Sequence, residues 1–395
     1  MKKGWQTKKL SEVCEIIMGQ SPDGESYNTT GEGVPLINGP VEFSAESFGK
    51  TVRTKFTTQP TKFCKEGDLI LCVRGSTTGR MNIAGFDACV GRGVAAIRAK
   101  QYQPWINHFI SSKRDEIHGK GTGATFPNVS GDSLANFELV VPPLTEQQRI
   151  VGLLDEAFED LATAKANAEK NLRNARALFE SHLQSVFTQR GPGWRTKSLM
   201  QACQFSNGLW KGEKPPFVNV GVIRNTNFTK EGTLDDSDIA YLDVEVKKLE
   251  KRRLQFGDII LEKSGGGPKQ PVGRVALFDK NEGEFSFSNF TSALRVLDSD
   301  DLDFRFLHKF LYWIYVSGVT QGMQSNSTGI RNLDADAYKA IEITYPPLAE
   351  QRQIADNLES LREETQRLAR LYERKHAALA ALKKSLLHQA FTGEL

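Results

Sequence analysis

The stretch VVPPLTEQQRIVGLL at 140–154 returns as TYPPLAEQRQIADNL at 344–358. Pro142 and Pro143 match Pro346 and Pro347, Glu146 and Gln147 match Glu350 and Gln351, and Phe187-Thr188 match Phe391-Thr392, all at an offset of 204. A register held without insertion from Pro142 to Thr188 implies an element whose length matters, because loops tolerate insertions. A long helix is the expected element in each copy.

Composition agrees with that reading. None of the 15 prolines and only Gly152 and Gly393 of the 34 glycines fall within 144–190 or 348–395, so both segments lack the residues that most weaken helices. In the first, Ile150, Leu154, Ala157, Leu161, Ala164, Ala168, Leu172, Ala175, Phe179, Leu183 and Val186 recur at spacings of three and four. In the second, Ile354, Leu358, Leu361, Leu368, Tyr372, Leu379, Leu382, Leu386 and Ala390 recur at spacings of three, four and seven. Such spacing predicts a coiled-coil seam. Thr145 with Gln148 can form a capping box behind the diproline, and Gly393 suits a helix stop. Ala349 makes the cap of the second copy weaker.

Weaker repetition precedes each helix. GWQTKKLSEVC at 4–14 echoes GWRTKSLMQAC at 193–203, and EGDLILCVRGS at 66–76 echoes FGDIILEKSGG at 256–266. Short β-rich runs such as DLILCVRG, VAAIRA, DIILEK and RVALF lie between clusters of Gly, Asn and Ser, with a helical stretch at 302–316. The chain therefore divides as domain 1–143, helix 144–190, domain 191–347 and helix 348–395. The expected class is α/β: two domains with β-rich cores, separated by two long antiparallel coiled-coil helices in a pseudo-two-fold repeat. A helix of about 43 residues is roughly 65 Å long.

The 395 residues are 39% hydrophobic and 25% charged, with a formal net charge of +3. That charge is too small to mark a nucleic-acid protein by itself, so any such surface must be a local patch. No apolar run reaches the ~20 residues of a membrane span, and the first residues lack the apolar core of a signal peptide. The cytoplasm is the expected location. Cys14, Cys64, Cys72, Cys89 and Cys203 form no CxxC pair, and are read as reduced and mostly buried, with neither disulfides nor zinc.

The two PPLxEQ phrases followed by coiled-coil helices, the two GDxIL strands and GQSP at 19–22 resemble the DNA-specificity subunit of type I restriction-modification systems. The resemblance covers the whole chain. It implies two target recognition domains, each reading one half of a split double-stranded DNA sequence, with helices that bind two methyltransferase (modification) subunits. It further implies that S-adenosylmethionine and adenine methylation belong to those partners, that cleavage belongs to a motor-nuclease (restriction) subunit, and that this chain holds no cofactor or metal. Because the two domains differ in sequence, the target is expected to be asymmetric.

Several stretches suit contact with DNA. VRGSTTGRMN at 73–82 sets Arg74, Ser76, Thr77 and Arg80 in a Gly-containing loop after a strand, where an Arg fork can meet guanine O6/N7 or a phosphate. The alternative is an ordinary hairpin with solvated arginines. EKSGGGPKQPVGR at 262–274 offers Lys263, Ser264, Lys269 and Arg274, without the GxxxxGK[ST] spacing of a nucleotide loop. HGKGTGATFPNVS at 118–130 adds Lys120, Thr122 and Asn128, and TQGMQSNSTGIRN at 320–332 adds Gln321, Gln324, Asn326 and Arg331. Tyr27, Asn28, Asn38, Arg224, Asn225 and Asn227 could face a groove, be buried or serve turns. On the helices, Phe158, Phe187, Tyr372 and Phe391 add bulk that suggests a second face for partner subunits.

Enzyme readings find little support. DEAF at 155–158 falls inside the first helix with no phosphate loop before it, and KPPF at 214–217 lacks the Asn or Asp of an adenine methylase. Asp258 and Glu262 could pair as nuclease carboxylates, but the first domain has Asp68 and Cys72 there. The reading is a non-catalytic specificity subunit. The alternatives are a fused restriction-methylase enzyme and a coiled-coil adaptor that binds no DNA.

Overall fold

The computed structural model describes residues 4–46, 48–119, 128–209, 212–266, 270–327 and 330–395. The chain forms two compact units, Met1–Glu169 with Arg374–Leu395, and Lys170–Glu373.

In the first unit a four-stranded sheet runs in the order Cys14–Met18, Val94–Ala99, Leu69–Cys72, Met81–Ile83. Leu69–Cys72 is apolar and buried at every position, as a central strand covered on both faces must be. A second sheet of five short strands includes Val34–Ile37 beside Ala88–Val90. Gln6–Lys9 pairs with Glu138–Val141, which brings the start of the domain beside the strand that leads into Pro142.

The second unit repeats the four-stranded order with Cys203–Asn207, Thr291–Val296, Ile259–Glu262 and Val275–Leu277. Arg195–Ser198 pairs with Glu342–Tyr345 as the counterpart of the closing pair. Its additional sheets are different. Ala240–Glu245, Phe217–Ile223 and Phe285–Phe287 form one, and Ser264–Gly265, Ile330–Leu333 and Gln324–Ser327 form another. Within the polar stretch at 320–332, Gln324–Ser327 and Ile330–Leu333 pair as antiparallel strands after a short 3-10 turn.

Two helices of 45 residues, Leu144–Thr188 and Leu348–Thr392, follow the two phrases. The phrase is a helix entry. The Pro143 carbonyl accepts from the backbone N–H of Glu146 at 2.9 Å and of Gln147 at 3.0 Å, and the Gln147 side-chain amide donates to Pro142 at 2.8 Å. Pro347, Glu350 and Gln351 repeat the arrangement, and Gln351 also accepts from Asp303 N–H and donates to the Asp301 carbonyl. The expected capping box is not how the first helix starts. Leu144 is already helical, so Thr145 lies inside the first turn. Gly393 takes a positive φ of 81° and Glu394 N–H closes on the Gln389 carbonyl at 2.8 Å, ending the second helix.

Each unit holds the start of one long helix and the end of the other. In the first, His376 meets Glu169 at 3.3 Å, Lys383 lies over the Phe158 ring at 4.6 Å, and Arg149 reaches the Leu395 carbonyl at 3.1 Å, an antiparallel order. In the second, Arg176 meets Glu373 at 2.9 Å, and Phe179, Leu183 and Phe187 share a core with Ala355 and Leu358. Of the expected seam residues, Ile150, Leu154, Ala168, Leu183 and Leu358 are buried, whereas Leu382 is 47% exposed. Near its end the second helix buries the expected Ala390, together with Leu387 outside the expected seam, against the domain. Packing on a domain as well as on a helix turns the apolar face away from a pure coiled-coil register.

Candidate nucleic-acid interface

In the first unit the loop after Leu69–Cys72 brings several expected residues together. Arg74 and Asn128 form a bridge, with Arg74 Nε donating to Asn128 Oδ1 at 3.4 Å. Ser76 is exposed, Thr77 is half-buried, and Arg80 closes the loop with its guanidinium 6.0 Å from the Phe43 ring centroid. Lys120 and Thr122 lie outside the described residues.

The second unit places its residues less uniformly. Lys263 Nζ donates to Asn207 Oδ1 at 3.0 Å, and its pKa is lowered by burial. Ser264 donates to Asn332 at 2.6 Å, beside Arg331 in the strand Ile330–Leu333. Gln321 is exposed on a short 3-10 turn. Gln324 is turned inward and bonds both Val272 and Thr320, while the Asn326 backbone lies opposite Arg331. Lys269 lies outside the described residues. Arg274 is committed elsewhere: it forms a two-bond fork with Glu262 at 2.8 Å for both bonds, and Glu262 is fully buried.

Of the two roles weighed for Arg224 and Asn227, facing a groove or serving a buried turn, the second is the one observed. Asn227 is buried and donates to the Asp238 carbonyl at 2.9 Å, while Arg224 pairs with Asp238 at 2.8 Å. These two hold a turn. Asp258 takes a two-bond fork from Arg295 at 2.7 Å, and the first unit matches it with Asp68 and Arg98. With Glu262 and Asp258 both buried and ion-paired, neither carboxylate is open to a metal. No group of His, Cys, Asp or Glu able to hold a metal ion is found among the described residues.

The aromatic residues expected to face partners pack inward in three cases. Phe187 is 3% exposed and sits 5.4 to 5.7 Å from Phe306, Phe310 and Trp313. Phe391 packs on Trp105 at 4.7 Å and Phe109 at 5.5 Å. Phe158 meets His108 at 5.5 Å. Tyr372 stays half-exposed. The aromatics anchor helix to domain because each helix end finds an aromatic socket there, which spacing along one helix does not reveal.

Sequence reasoning also passed over basic residues beside the loop. Arg114 and His118 line a cleft with Ser76, Thr77 and Arg80. They belong to a charged run directly after the helix Gln103–Ser112, and that adjacency was the available signal. In the second unit KKLEKRR at 247–253 leaves Lys247, Lys248 and Lys251 exposed, whereas Arg253 pairs with Glu284 at 3.1 Å. All five cysteines are free and buried, and burial raises the Cys14, Cys64 and Cys203 thiols to about 12. Among the described residues no helix is long and apolar enough to cross a membrane.

A sheet built twice, each copy carrying polar loops and clamped by long helices, defines a duplicated recognition scaffold. The sequence matches the family described as "Type I restriction modification DNA specificity domain" over residues 2–171 and 193–373. The chain belongs to that family. It is 32% identical over 177 residues to the putative type I restriction enzyme MjaX specificity subunit of Methanocaldococcus jannaschii, covering 44% of this chain and 40% of that protein. It is 23% identical to the EcoKI specificity subunit of Escherichia coli K12 over 99% of this chain and 89% of that one. Among solved structures it resembles one from work on "complex assembly and conformational transition of the type I R-M system", with TM-score 0.77, 20% identity and coverage of 100% and 99%. The HsdS subunit from Thermoanaerobacter tengcongensis follows with TM-score 0.62, 19% identity and coverage of 100% and 98%.

Proposed function

We propose that this chain is the non-catalytic DNA-reading subunit of a type I restriction-modification complex, each domain contacting one half of a bipartite, asymmetric duplex target. The observation that carries the reading is the repeated four-stranded sheet whose hairpin loops differ, one with Arg74, Ser76, Thr77 and Arg80 and the other with Lys263 and Ser264. Unlike loops on like scaffolds read unlike bases. The domains are proposed as 1–143 and 191–347, and the helices at 144–190 and 348–395 as spacer and docking surface for two methyltransferase subunits. Forty-five residues at ~1.5 Å each give about 68 Å of helix, comparable with two DNA turns of ~34–36 Å. Exposed Leu153, Leu178, Leu371 and Leu382 on the long helices support docking better than Phe187 or Phe391.

Catalysis then resides in the partners: S-adenosylmethionine-dependent adenine methylation in the methyltransferase subunits, and cleavage in a motor-nuclease subunit. Buried reduced cysteines and a duplex ligand favour the cytoplasm as the place of work. The test is to map methylated adenines genome-wide in cells with and without this gene. Loss of one split, asymmetric motif is the expected result. An unchanged methylome in cells that express the partners would overturn the reading.

A further inference from the structure

The two four-stranded sheets each end a hairpin with the same dipeptide, Gly79-Arg80 in the first unit and Gly273-Arg274 in the second. Their backbones are equivalent. Cys72 N–H donates to the Arg80 carbonyl at 2.8 Å and Gly79 N–H to the Cys72 carbonyl at 2.9 Å, whereas Glu262 N–H donates to Arg274 at 2.8 Å and Gly273 N–H to Glu262 at 3.0 Å. Both glycines have positive φ, 85° and 107°. The side chain opposite the arginine differs: a thiol at Cys72, a carboxylate at Glu262.

That exchange decides the arginine's charge balance. Arg274 is neutralised by Glu262 and further held by the Asn225 carbonyl at 3.0 Å. Among the described residues Arg80 has no carboxylate partner, and it lines a cleft of about 310 Å³ with Ser76, Thr77, Arg114 and His118. Asp115 also lines the cleft, but Lys384 holds it at 2.9 Å and lowers its pKa. What lies against each glycine differs as well: the Arg114 stem would be 3.2 Å from a Cβ at Gly79, and buried Thr320 2.9 Å from one at Gly273.

We propose that the cleft at Arg80 and Arg114 binds one backbone phosphate of the DNA, and that the second unit has closed its equivalent with the Glu262–Arg274 pair. This rests on the chain being a DNA reader. An Arg fork on a phosphate is a strong charge-assisted contact that fixes register without reading sequence. The first domain therefore holds its half-site partly through a salt-sensitive contact that the second domain makes elsewhere or lacks.

The test is DNA binding by the full chain purified with its methyltransferase subunits, followed by fluorescence anisotropy across a KCl series. Arg80→Gln is expected to reduce the slope of log Kd against log salt by about one contact, ~0.9, uniformly across target and non-target duplexes. Arg80→Lys should restore it. The double variant Glu262→Gln with Arg274→Gln, which keeps neutral partners in place, should leave the slope unchanged. Thermal melts confirm folding of each variant. A wild-type slope in Arg80→Gln, or an equal loss in the double variant, would overturn the proposal. So would an inorganic-phosphate-induced rise in Tm that Arg80→Gln abolishes while the DNA slope stays intact, which would assign the cleft to free phosphate. Absence of any salt-dependent binding by the wild-type complex would overturn both this and the underlying reading.

Discussion

In the first unit an imidazole joins domain to helix: His108 Nε2 meets Asp155 Oδ1 at 2.8 Å. In the second an ammonium does so, Lys309 Nζ donating to Glu359 at 2.5 Å with Arg362 on the same carboxylate. Asp155 and Glu359 are related by the repeat offset of 204, and His108 precedes Phe109 as Lys309 precedes Phe310. The sockets correspond too, with Phe391 on Trp105 and Phe109, and Phe187 on Phe306 and Phe310. Attachment is thus kept by position while its chemistry varies. A buried imidazole can be neutral and needs only a hydrogen bond, whereas a buried ammonium needs its counter-charge.

Substitutions at these points sharpen the comparison. The largest effect is expected for Phe187→Ala, about 3–5 kcal/mol by urea unfolding, with Phe391→Ala costing about 2–3 because Phe391 is only half-buried. Equal losses would argue against unequal sockets. Next, Glu359→Ala should cost about 2–3 kcal/mol, less than a fully buried pair because Glu359 is 38% exposed, yet still leave Lys309 without its counter-charge. Asp155→Ala should cost about 1 kcal/mol, a hydrogen bond to a largely exposed carboxylate. A reversed order would break the claim that the clamps differ in charge.

Acid provides a smaller, graded test. Burial pushes His308 from its ordinary 6.5 down to about 3, helped by Lys309 and Arg362 and opposed by the Gly232 carbonyl and Glu359. His108 is lowered as well, by burial first, with Asp155 opposing. Because the folded pKa lies below the unfolded one, the unfolded chain takes the proton first. The stabilising contribution is complete above about 6.5 and is lost as pH falls toward 3. Glu359, near 2 instead of 4.5, has the depressed-carboxylate sign, and its contribution falls away only below about 4.5. His308→Gln should therefore flatten stability between pH 6.5 and 4.5 more than His108→Gln does, measured by melting across that range. Identical pH profiles for the two variants would contradict it.

Much of the scaffold was legible. Pro142, Gln147 and Phe187 recur at one offset, and a repeat of that length without insertion has few explanations besides a long helix. The roles inside the repeat were not. Gln147 and Gln351 are polar, so periodicity passes over them, yet they are 2% and 0% exposed and tie the helix entry to the diproline. Phe187 and Phe391 look like bulk beyond a seam until their sockets on the domain helices are known. Arg80 and Arg274 look alike in sequence. Their difference lies across the hairpin, at Cys72 and Glu262, where only strand register brings partner and arginine together. Leu382 is exposed although the seam residues after it, Leu386 and Ala390, pack on the domain core.

The most direct test of two independent readers is to replace residues 191–347 with the matching domain of a relative, keep both helices, and map methylated adenines. One half of the split motif should change while the other half and the unread gap stay the same. A change in both halves, or in neither, would contradict the division of reading between the two domains.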